Sequence, residues 1–463
     1  MSTQIKQTAT PFNIVRADLI STRTGVSNQF VSHDVRNAIS DITIYEHLNK
    51  PYTTAIFTLA DNADTLSSLD IQGGERFEIE IKPTVDPLAL GIKKTYYITE
   101  ILNSVRSGDL SEVHVFNCID ENHWWSMQQN VNDPLAGNPL QMILQVANDY
   151  FPELNILHEE QDFKQNYKVI VPNKTPLDTM VWLNHINKTK DGLPYFLYAT
   201  MGDNTLRYFS LEELIKQEPF NKKKPFKYGY LEASANNQIH DYSASSFNIQ
   251  YFDYKNTHRI YDYIKEGYTR ATHRYFDTVS NRSYDVDFSA VDAFINLHQN
   301  EIYERGSTRY PIPAQAKSND VDFHDHTHRV VANISTNRPF TGFYSYNERF
   351  DGSDYSNMTM QRAYREYLVK DPITIQIDGK YLGALHGVKD RRLIAPHLIG
   401  QKARILFRQT VENPKKDQGG IDIKKSGDYI IHSVAHKLQR ERYDCTITGV
   451  KLGGFDNSEV ASQ

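Results

Sequence analysis

Three histidines at alternate positions form the stretch of this sequence that most resembles a metal site. Phe323–His328 reads FHDHTH, so His324, His326 and His328 would share one face of a strand. Three imidazoles on one face can ligate zinc or iron. No carboxylate or cysteine at a useful spacing completes such a site. We therefore interpret the run as a polar, exposed strand or loop, and we predict no metal and no cofactor.

The other residue types form no catalytic pattern. The sequence contains no nucleophile elbow, HExxH motif, Walker loop or Rossmann fingerprint. Gly73–Gly74 precedes a predicted strand instead of a helix, so its amides cannot present themselves to a phosphate as a P-loop does. The 57 acidic residues offer many carboxylate pairs for a lysozyme-type reaction, but their surroundings single out none. The sequence therefore predicts no catalytic residue and a protein that is not an enzyme.

Composition and charge exclude further classes of protein. The chain has 463 residues, and its 29 Tyr and 22 Phe favour strands and large packed surfaces over disorder. A formal net charge of −6 argues against a nucleic-acid-binding protein, which usually carries a basic surface. Cys118 and Cys445 are too few for a disulfide framework, and we expect them to be buried thiols.

Neither a signal peptide nor a membrane span is predicted. The N-terminal residues lack an apolar segment flanked by positive charge. No run approaches the roughly 18 apolar residues that a membrane helix needs. We therefore expect a protein that is made in a cytoplasm and does not insert into membranes.

Alternating apolar residues predict a first β-barrel domain at residues 1–125. Within Asp41–Asp120, the apolar Phe77, Ile79 and Ile81 alternate with charged residues, which gives a strand one dry and one wet face. Other stretches between the same limits have similar β-rich patterns. About five strands in this space suggest a small closed barrel, because closure removes exposed strand edges.

A small α+β domain is predicted at residues 126–220. Helical spacing begins at Asn138 and stops near Pro152. A second helix begins at Thr175, which can cap it. Two aromatic strands around the turn Met201–Asn204 are typical of a hairpin, and a short helix follows them.

Residues 221–370 are interpreted as a Tyr-rich, mixed insertion or connecting domain. Its first part, Asn221–Lys227, is basic and contains proline, so we interpret it as a linker or exposed loop. A helix is predicted at Met358–Val369, because Asp371–Pro372 would end it.

Strand patterns return from Ile373. They predict a second β-barrel domain at residues 371–453, which residues 228–340 could complete with further strands. Residues 454–463 form a polar tail.

The two β regions repeat the same spacing. Gly74–Ile81 and Gly400–Phe407 each have a glycine followed by apolar residues at the third, fifth and seventh positions after it. Tyr96–Ile101 and Tyr429–Val434 each have a tyrosine followed by apolar residues two and five positions later. A polar turn and a last strand follow in both regions. We therefore predict an α+β, mainly β fold with two similar small barrels and α+β elements inserted between them.

With these elements, the sequence resembles the hub proteins of contractile injection machines. The resemblance is carried by Tyr167–Pro172 (YKVIVP) and by Gly427–Leu438 (GDYIIHSVAHKL), which is followed by the strand Arg442–Val450. This family includes the baseplate hub of T-even-like phages and the N-terminal part of the valine–glycine repeat proteins of type VI secretion.

The resemblance implies a structural baseplate hub of a contractile phage tail. Such hubs resemble trimers whose two barrels per chain form a pseudo-sixfold ring, a symmetry adaptor between the sixfold tail tube and the threefold central spike. The implied partners are the homotrimer, the tail tube protein, the central spike protein, the baseplate wedge proteins and the tape-measure protein. The ring would line the channel for DNA ejection without binding DNA specifically. The implied location is the virion, in the tail baseplate, after assembly in the host cytoplasm.

Two departures from the family and two alternative functions follow from the sequence. Only Gly453–Gln463 follow the second barrel, so we expect the spike to be a separate protein. The chain is longer than the T-even hub, and the extra length is expected between Tyr228 and Glu366. The alternatives are a tail-associated cell-wall hydrolase and the hub of a phage-derived device, such as a tailocin or a type VI-like system. A catalytic constellation in a cleft would indicate the hydrolase, and neighbouring genes would distinguish the device.

Overall fold

The computed structural model describes most of the chain, in segments. The described residues are 11–24, 30–62, 69, 71–84, 91–106, 111–160, 166–222, 224–228, 247–255, 260–278, 281–290, 292–293, 317–318, 321–322, 329–335, 339–340, 353–379, 397–409, 421–422, 425–440 and 442–452. Among them, no helix has the length and apolar character needed to cross a membrane.

The N-terminal part of the chain forms an antiparallel β unit, which we call repeat A (residues 12–120). Its strands are β1 (Phe12–Thr24), β2 (Phe30–Asp34), β3 (Ile39–His47), β4 (Thr54–Asp61), β5 (Arg76–Pro83), β6 (Ile92–Arg106) and β7 (Glu112–Asp120). Their order across the sheet is β3-β4-β7-β6-β5-β1-β2. In β4, Ala55, Phe57 and Leu59 are fully buried and alternate with partly exposed residues, as the sequence pattern predicts.

Strand β1 was not predicted from its sequence. Its register against β5 shifts between Ile14 and Arg16, so a bulge separates two stretches of alternation. The apolar residues on either side of such a bulge fall out of phase, and the period of two cannot be followed through it.

A small α+β unit follows repeat A. Its elements are α1 (Glu121–Ser126), β8 (Pro134–Gly137), α2 (Pro139–Tyr150), β9 (Asn155–His158), β10 (Asn166–Ile170), α3 (Pro176–Ile186), β11 (Tyr195–Tyr198), β12 (Thr205–Ser210) and α4 (Leu211–Lys216). The predicted helix starts are present. Asn138 and Gln141 form a capping box at α2, and the Thr175 side chain accepts from the Asp178 amide at α3.

The chain then begins a second β unit, which an insertion interrupts. We call the β unit repeat B: β13 (Phe226–Tyr228), β14 (Tyr251–Tyr254) and, after the insertion, β21 (Ile373–Asp378), β22 (Lys402–Phe407), β23 (Gly427–Gln439) and β24 (Arg442–Val450). The insertion contains α5 (Ile260–Glu266), β15 (Arg270–Asp277), β16 (Arg282–Ser289), β17 (Lys317–Ser318), β18 (Val321–Asp322), β19 (Arg329–Ser335), β20 (Pro339–Phe340) and α6 (Ser353–Leu368).

The two repeats have the same strand order. Repeat B runs β14-β21-β24-β23-β22-β13, and repeat A runs β3-β4-β7-β6-β5-β1 with its strands used in the same chain order. Gly74 and Gly400 both have positive φ and donate their amides to Ile98 and Ile431 respectively. The predicted α+β, mainly β fold with two similar β units is therefore confirmed.

The ends of repeat B meet through backbone hydrogen bonds. The Lys227 amide in β13 donates to Phe247, and the Ile249 amide donates back to Lys227, just before the chain enters β14. Among the described residues no ladder closes either repeat as a regular barrel, but these bonds bring the two outer strands of repeat B together.

The interpretation of Asn221–Lys227 as a linker or exposed loop is wrong. Phe226 is fully buried in β13, which pairs in parallel with β22. Asn221 is also buried, and its side chain bonds both the amide and the carbonyl of Arg404. The lysines of this stretch dominate its composition, and they hid the single aromatic residue that enters the core.

A buried ion pair fastens the α+β unit to α6 of the insertion. Lys188 pairs with Asp354, and the Tyr167 hydroxyl lies within hydrogen-bond distance of both. All three side chains are almost completely buried. Because each polar atom of this group has a partner of opposite character, the two units can pack without leaving an isolated charge in the interior.

The equivalent glycines of the two repeats allow a matched test. The backbone φ is +89° at Gly74 and +74° at Gly400. An alanine at either position would be strained by about 1–2 kcal/mol, because L-residues disfavour positive φ. At Gly400 the added Cβ would also collide with the Tyr198 hydroxyl, whereas at Gly74 its nearest neighbour is Trp124, at 3.5 Å. We expect Gly400→Ala to lower the free energy of unfolding by about 1–3 kcal/mol more than Gly74→Ala. Urea denaturation measures both, and equal losses would contradict the proposed crowding.

Candidate functional site

The three histidines considered for a metal site lie outside the described part of the chain. They are His324, His326 and His328. Among the residues that the structure describes, no group of three or more His, Cys, Asp or Glu side chains is placed to hold a metal ion.

A cleft of about 260 Å³ beside β5 and β6 contains several carboxylates. Glu78 is paired with Arg16 at 2.8 Å, and Glu80 lies 3.5 Å from Lys93. Burial raises the pKa of Asp120, which can mark a catalytic acid. Its oxygens, however, accept from the Thr53 amide and from the first turn of α1. These three carboxylates therefore have structural partners, and they do not form a free acid–base pair.

The two repeats meet strand to strand, and this junction is our candidate functional site. Strand β3 of repeat A pairs antiparallel with β23 of repeat B, from His47 opposite Ser433 to Asp41 opposite Gln439. The pairing joins both repeats into one continuous sheet of 13 strands. Through this pairing, the two similar units share one sheet.

Strand β23 can reach both repeats because it changes partner along its length. Its first residues pair with β22, up to Ile430. The register against β24 shifts between Ile431 and Ser433, which places a bulge at His432. From Ser433 onwards β3 takes the place of β22. The bulge therefore marks the point where the strand leaves one repeat and enters the junction.

A buried polar cluster crosses the junction. The Nε2 atom of His436 lies 2.9 Å from Oε2 of Glu46, and its Nδ1 atom lies 2.8 Å from the Tyr443 hydroxyl. The Cys445 sulfur is 3.3 Å from the same Nδ1 atom. None of these four residues is more than 3% exposed. The cluster joins β3 to β23 and β24, so it connects repeat A with repeat B through their side chains.

Electrostatics fix the charge state of this cluster. Burial by itself lowers the pKa of His436, but Cys445 and the Glu46 carboxylate raise it to about 10. Burial raises the pKa of Glu46, yet His436 and a donated backbone amide lower it below its ordinary value. Burial also raises the pKa of Tyr443, which keeps its hydroxyl protonated. At neutral pH the centre of the junction is therefore an ion pair of His436 with Glu46.

The α+β unit is anchored at the same place. The Met201 amide donates to the second carboxylate oxygen of Glu46 at 2.6 Å. The Lys94 ammonium donates to the Asp203 carbonyl at 2.6 Å, and the Ala199 amide donates to the Lys50 carbonyl. The hairpin turn after β11 thus packs on the junction, and Glu46 of repeat A contacts both repeat B and the α+β unit.

Chemically, this arrangement can hold strands together, and it offers nothing to a substrate. Its polar atoms bond to one another, and its side chains have almost no exposed surface. Sequence reasoning missed Glu46, although a signal was present. In β3 the buried positions Ile42 and Ile44 are followed at the next inward position by a carboxylate, and such a residue requires a buried partner.

Solved structures similar to this chain come from phage tails and type VI secretion. A tail protein from Neisseria meningitidis MC58 is 11% identical, with 94% of this chain and 96% of that chain covered and a TM-score of 0.45. The 43 kDa tail protein of prophage MuSo2 from Shewanella oneidensis is 9% identical, with 94% and 98% covered and a TM-score of 0.47.

A third similar structure is the E. coli c3393 protein, a component of the type VI secretion system with structural similarity to the T4 tail proteins gp27 and gp5. It is 8% identical, with 95% of this chain and 76% of that chain covered and a TM-score of 0.40. Neither a protein-family model nor a curated protein matches the sequence. The expected resemblance to tail and type VI proteins is confirmed, and at these identities it concerns the fold alone.

Removing one member of the junction ion pair should destabilise the protein strongly. His436→Gln leaves the Glu46 carboxylate buried without a counter-charge, and Glu46→Gln does the same to the imidazolium. We expect either change to lower the free energy of unfolding by about 3–5 kcal/mol. The double variant should lose less than either single variant, because no unpaired charge remains. Denaturant unfolding of all three variants measures this, and additive losses would contradict it.

The same pair predicts a dependence of stability on alkaline pH. The pKa of His436 is raised from about 6.5 in the unfolded chain to about 10, so its contribution is complete below pH 6.5 and is lost as the pH rises towards 10. The groups that face His436 are Glu46, Tyr443 and Cys445, and His397 lies near Glu46. The denaturation midpoint of the wild type should therefore fall between pH 7 and 10 more steeply than that of His436→Gln. Parallel curves would show that His436 is not protonated in the folded protein.

Proposed function

We propose that the protein is a structural baseplate hub of a contractile phage tail. The observation that carries this proposal is the duplication: repeats A and B share one strand order, one chain order and the glycine hydrogen bonds at Gly74 and Gly400. A chain with two equivalent units presents the same kind of surface twice. Three chains then present it six times, which suits an adaptor between a sixfold tube and a threefold spike.

The junction supports a ring because its two sides differ. Repeat B contributes β23 and repeat A contributes β3, which are not equivalent strands. The contact is therefore heterologous, and no twofold axis relates the two repeats across it. A heterologous contact that is repeated between chains either closes into a ring or continues into a filament. Closure after three chains gives a pseudo-sixfold ring of alternating repeats.

The charge of the chain suits a channel through which DNA passes. A net charge of −6 gives the chain little overall attraction for phosphates, so a lumen formed by it should not retain DNA. In this proposal the ring contacts the tail tube protein on one side and the central spike protein on the other. Baseplate wedge proteins surround it, and the tape-measure protein precedes DNA through it. The same geometry serves a hub in a phage-derived device.

The proposal predicts a trimer. Purified full-length protein should have three times the chain mass of 53.4 kDa by light scattering, and electron micrographs should show a ring with six similar densities. A protein that stays monomeric at concentrations up to about 1 mM would overturn the ring. A dimer or a tetramer would do the same, since neither gives a pseudo-sixfold arrangement.

A cell-wall hydrolase is the alternative that an assay can separate. Because basic groups and backbone amides hold Glu78, Glu80 and Asp120 in the cleft beside β5 and β6, we expect no release of soluble fragments from peptidoglycan. A heat-treated sample serves as the control. Saturable turnover well above that control would show that the protein is an enzyme.

A further inference from the structure

The second half of β6 is a strand edge with exposed apolar residues. Strand β6 pairs with β5 only between Ile92 and Tyr97, and its remaining residues pair with β7 alone within the described chain. Ile101, Leu102 and Val105 lie in this half and are 42%, 47% and 50% exposed. Three large apolar residues on one open edge are typical of a surface that pairs with another strand.

The equivalent half of β23 is covered. Thr99 in β6 and His432 in β23 occupy the same bulge position, one residue after the equivalent Ile98 and Ile431. Two residues beyond each bulge, Ile101 is 42% exposed whereas the equivalent Val434 is 2% exposed. The two strands also differ in their neighbours at this point, because β3 lies against β23 and no described strand lies against β6.

The strand of repeat B that corresponds to β3 also has an open side. By strand order this is β14, which pairs with β21. Within the described residues, no strand ladder forms on the other side of β14. Tyr251, at its start, is 60% exposed. Repeat B therefore presents the counterpart of β3, just as repeat A presents the counterpart of β23.

These two edges do not pair with each other in the described part of the chain. They lie at opposite ends of the continuous run β14-β21-β24-β23-β3-β4-β7-β6, with the junction in its middle. One copy can, however, place its β6 edge against the β14 edge of the next copy. The contact is head-to-tail, so every copy uses both edges.

We propose that β6 of one copy pairs antiparallel with β14 of a neighbouring copy, in the register that β23 and β3 adopt within the chain. The partner is a second copy of this chain, and the inference rests on the proposed ring. The contact continues the same sheet across the boundary between copies, with main-chain hydrogen bonds as in the junction. It also covers the apolar side chains of the second half of β6.

The internal junction fixes the expected register. Lys437 lies opposite Thr43 there. The bulge at Thr99 corresponds to the bulge at His432, and β6 has one further bulge, at Leu102. Val105 of β6 therefore corresponds to Lys437 of β23. Strands β4 and β21 are equivalent, and β3 and β14 pair with them in turn. The register of these two pairings makes Asp253 of β14 correspond to Thr43 of β3. Val105 of one copy should therefore lie opposite Asp253 of the next, at a Cα separation of about 4.5–5.5 Å.

Paired cysteines test this register. The full-length variant Val105→Cys/Asp253→Cys should form covalent trimers under mild oxidation, because opposite residues in a sheet lie within disulfide reach. Both side chains are exposed, at 50% for Val105 and 41% for Asp253, so the changes should not disturb folding. The native Cys118 and Cys445 are buried and should not interfere.

Two further variants serve as matched controls. Thr43→Cys/Lys437→Cys should form the same bond within one chain and leave the mass unchanged. Val105→Cys/Arg274→Cys combines the same edge with an exposed residue of the insertion, and it should give no covalent trimer. If this control cross-links as readily as the in-register pair, the proposed register is wrong.

The outcomes separate the pairing from the ring. A trimer by light scattering that gives no covalent product, while the control within one chain does cross-link, overturns the β6–β14 pairing and leaves the trimer standing. A protein that does not associate overturns both.

A charge test needs no oxidation. Val105→Glu should abolish the trimer because the new carboxylate faces Asp253, and Val105→Glu/Asp253→Lys should restore it. A trimer unaffected by Val105→Glu also overturns the pairing.

Discussion

The pairing of β3 with β23 is the contact on which the architecture depends. It turns two similar β units into one sheet, and it requires Glu46 and His436 to neutralise each other in the interior, where either charge alone would be costly. The Met201 amide uses the remaining oxygen of Glu46, so the α+β unit is fixed by the same pair. In this way a single carboxylate sets the relation between repeat A, repeat B and the unit that separates them in the chain. If it loses its partner, all three packing arrangements are weakened together.

The repeat could be predicted because both copies keep an uninterrupted period of two in the strands that carry it. Gly74–Ile81 and Gly400–Phe407 align without a gap, and the structure gives their glycines the same hydrogen bonds. The two helix caps, at Asn138 and Thr175, were also readable, since capping depends on local chemistry alone. The outer strands were harder to predict. A bulge interrupts β1, and β13 and β14 are too short for a period of two to be recognised.

The candidate site could be predicted only in part, because its partners are far apart in sequence. His436 and Glu46 are separated by 390 positions, and nothing local to either residue names the other. The sequence does contain a carboxylate in the inward row of β3 and a histidine in the inward row of β23. Each indicates a buried partner, but only the fold shows that they pair with each other. The candidate metal site differed from this pair. Its three histidines are regularly spaced and close together in the sequence, but no carboxylate or cysteine at a useful spacing completes the site.

The distance between β3 and β23 along the chain also affects the order of folding during synthesis. Strand β3 emerges from the ribosome early, and β23 is the last but one of the described strands, so the edge of β3 stays open while the residues between them are made. Contacts between such distant segments form slowly, and an open edge is prone to pairing with the wrong strand. A partly synthesised chain therefore has an unfilled β3 edge, and it lacks β23 and the positive charge that Glu46 needs. The junction between the two repeats can therefore form only after β23 has been made.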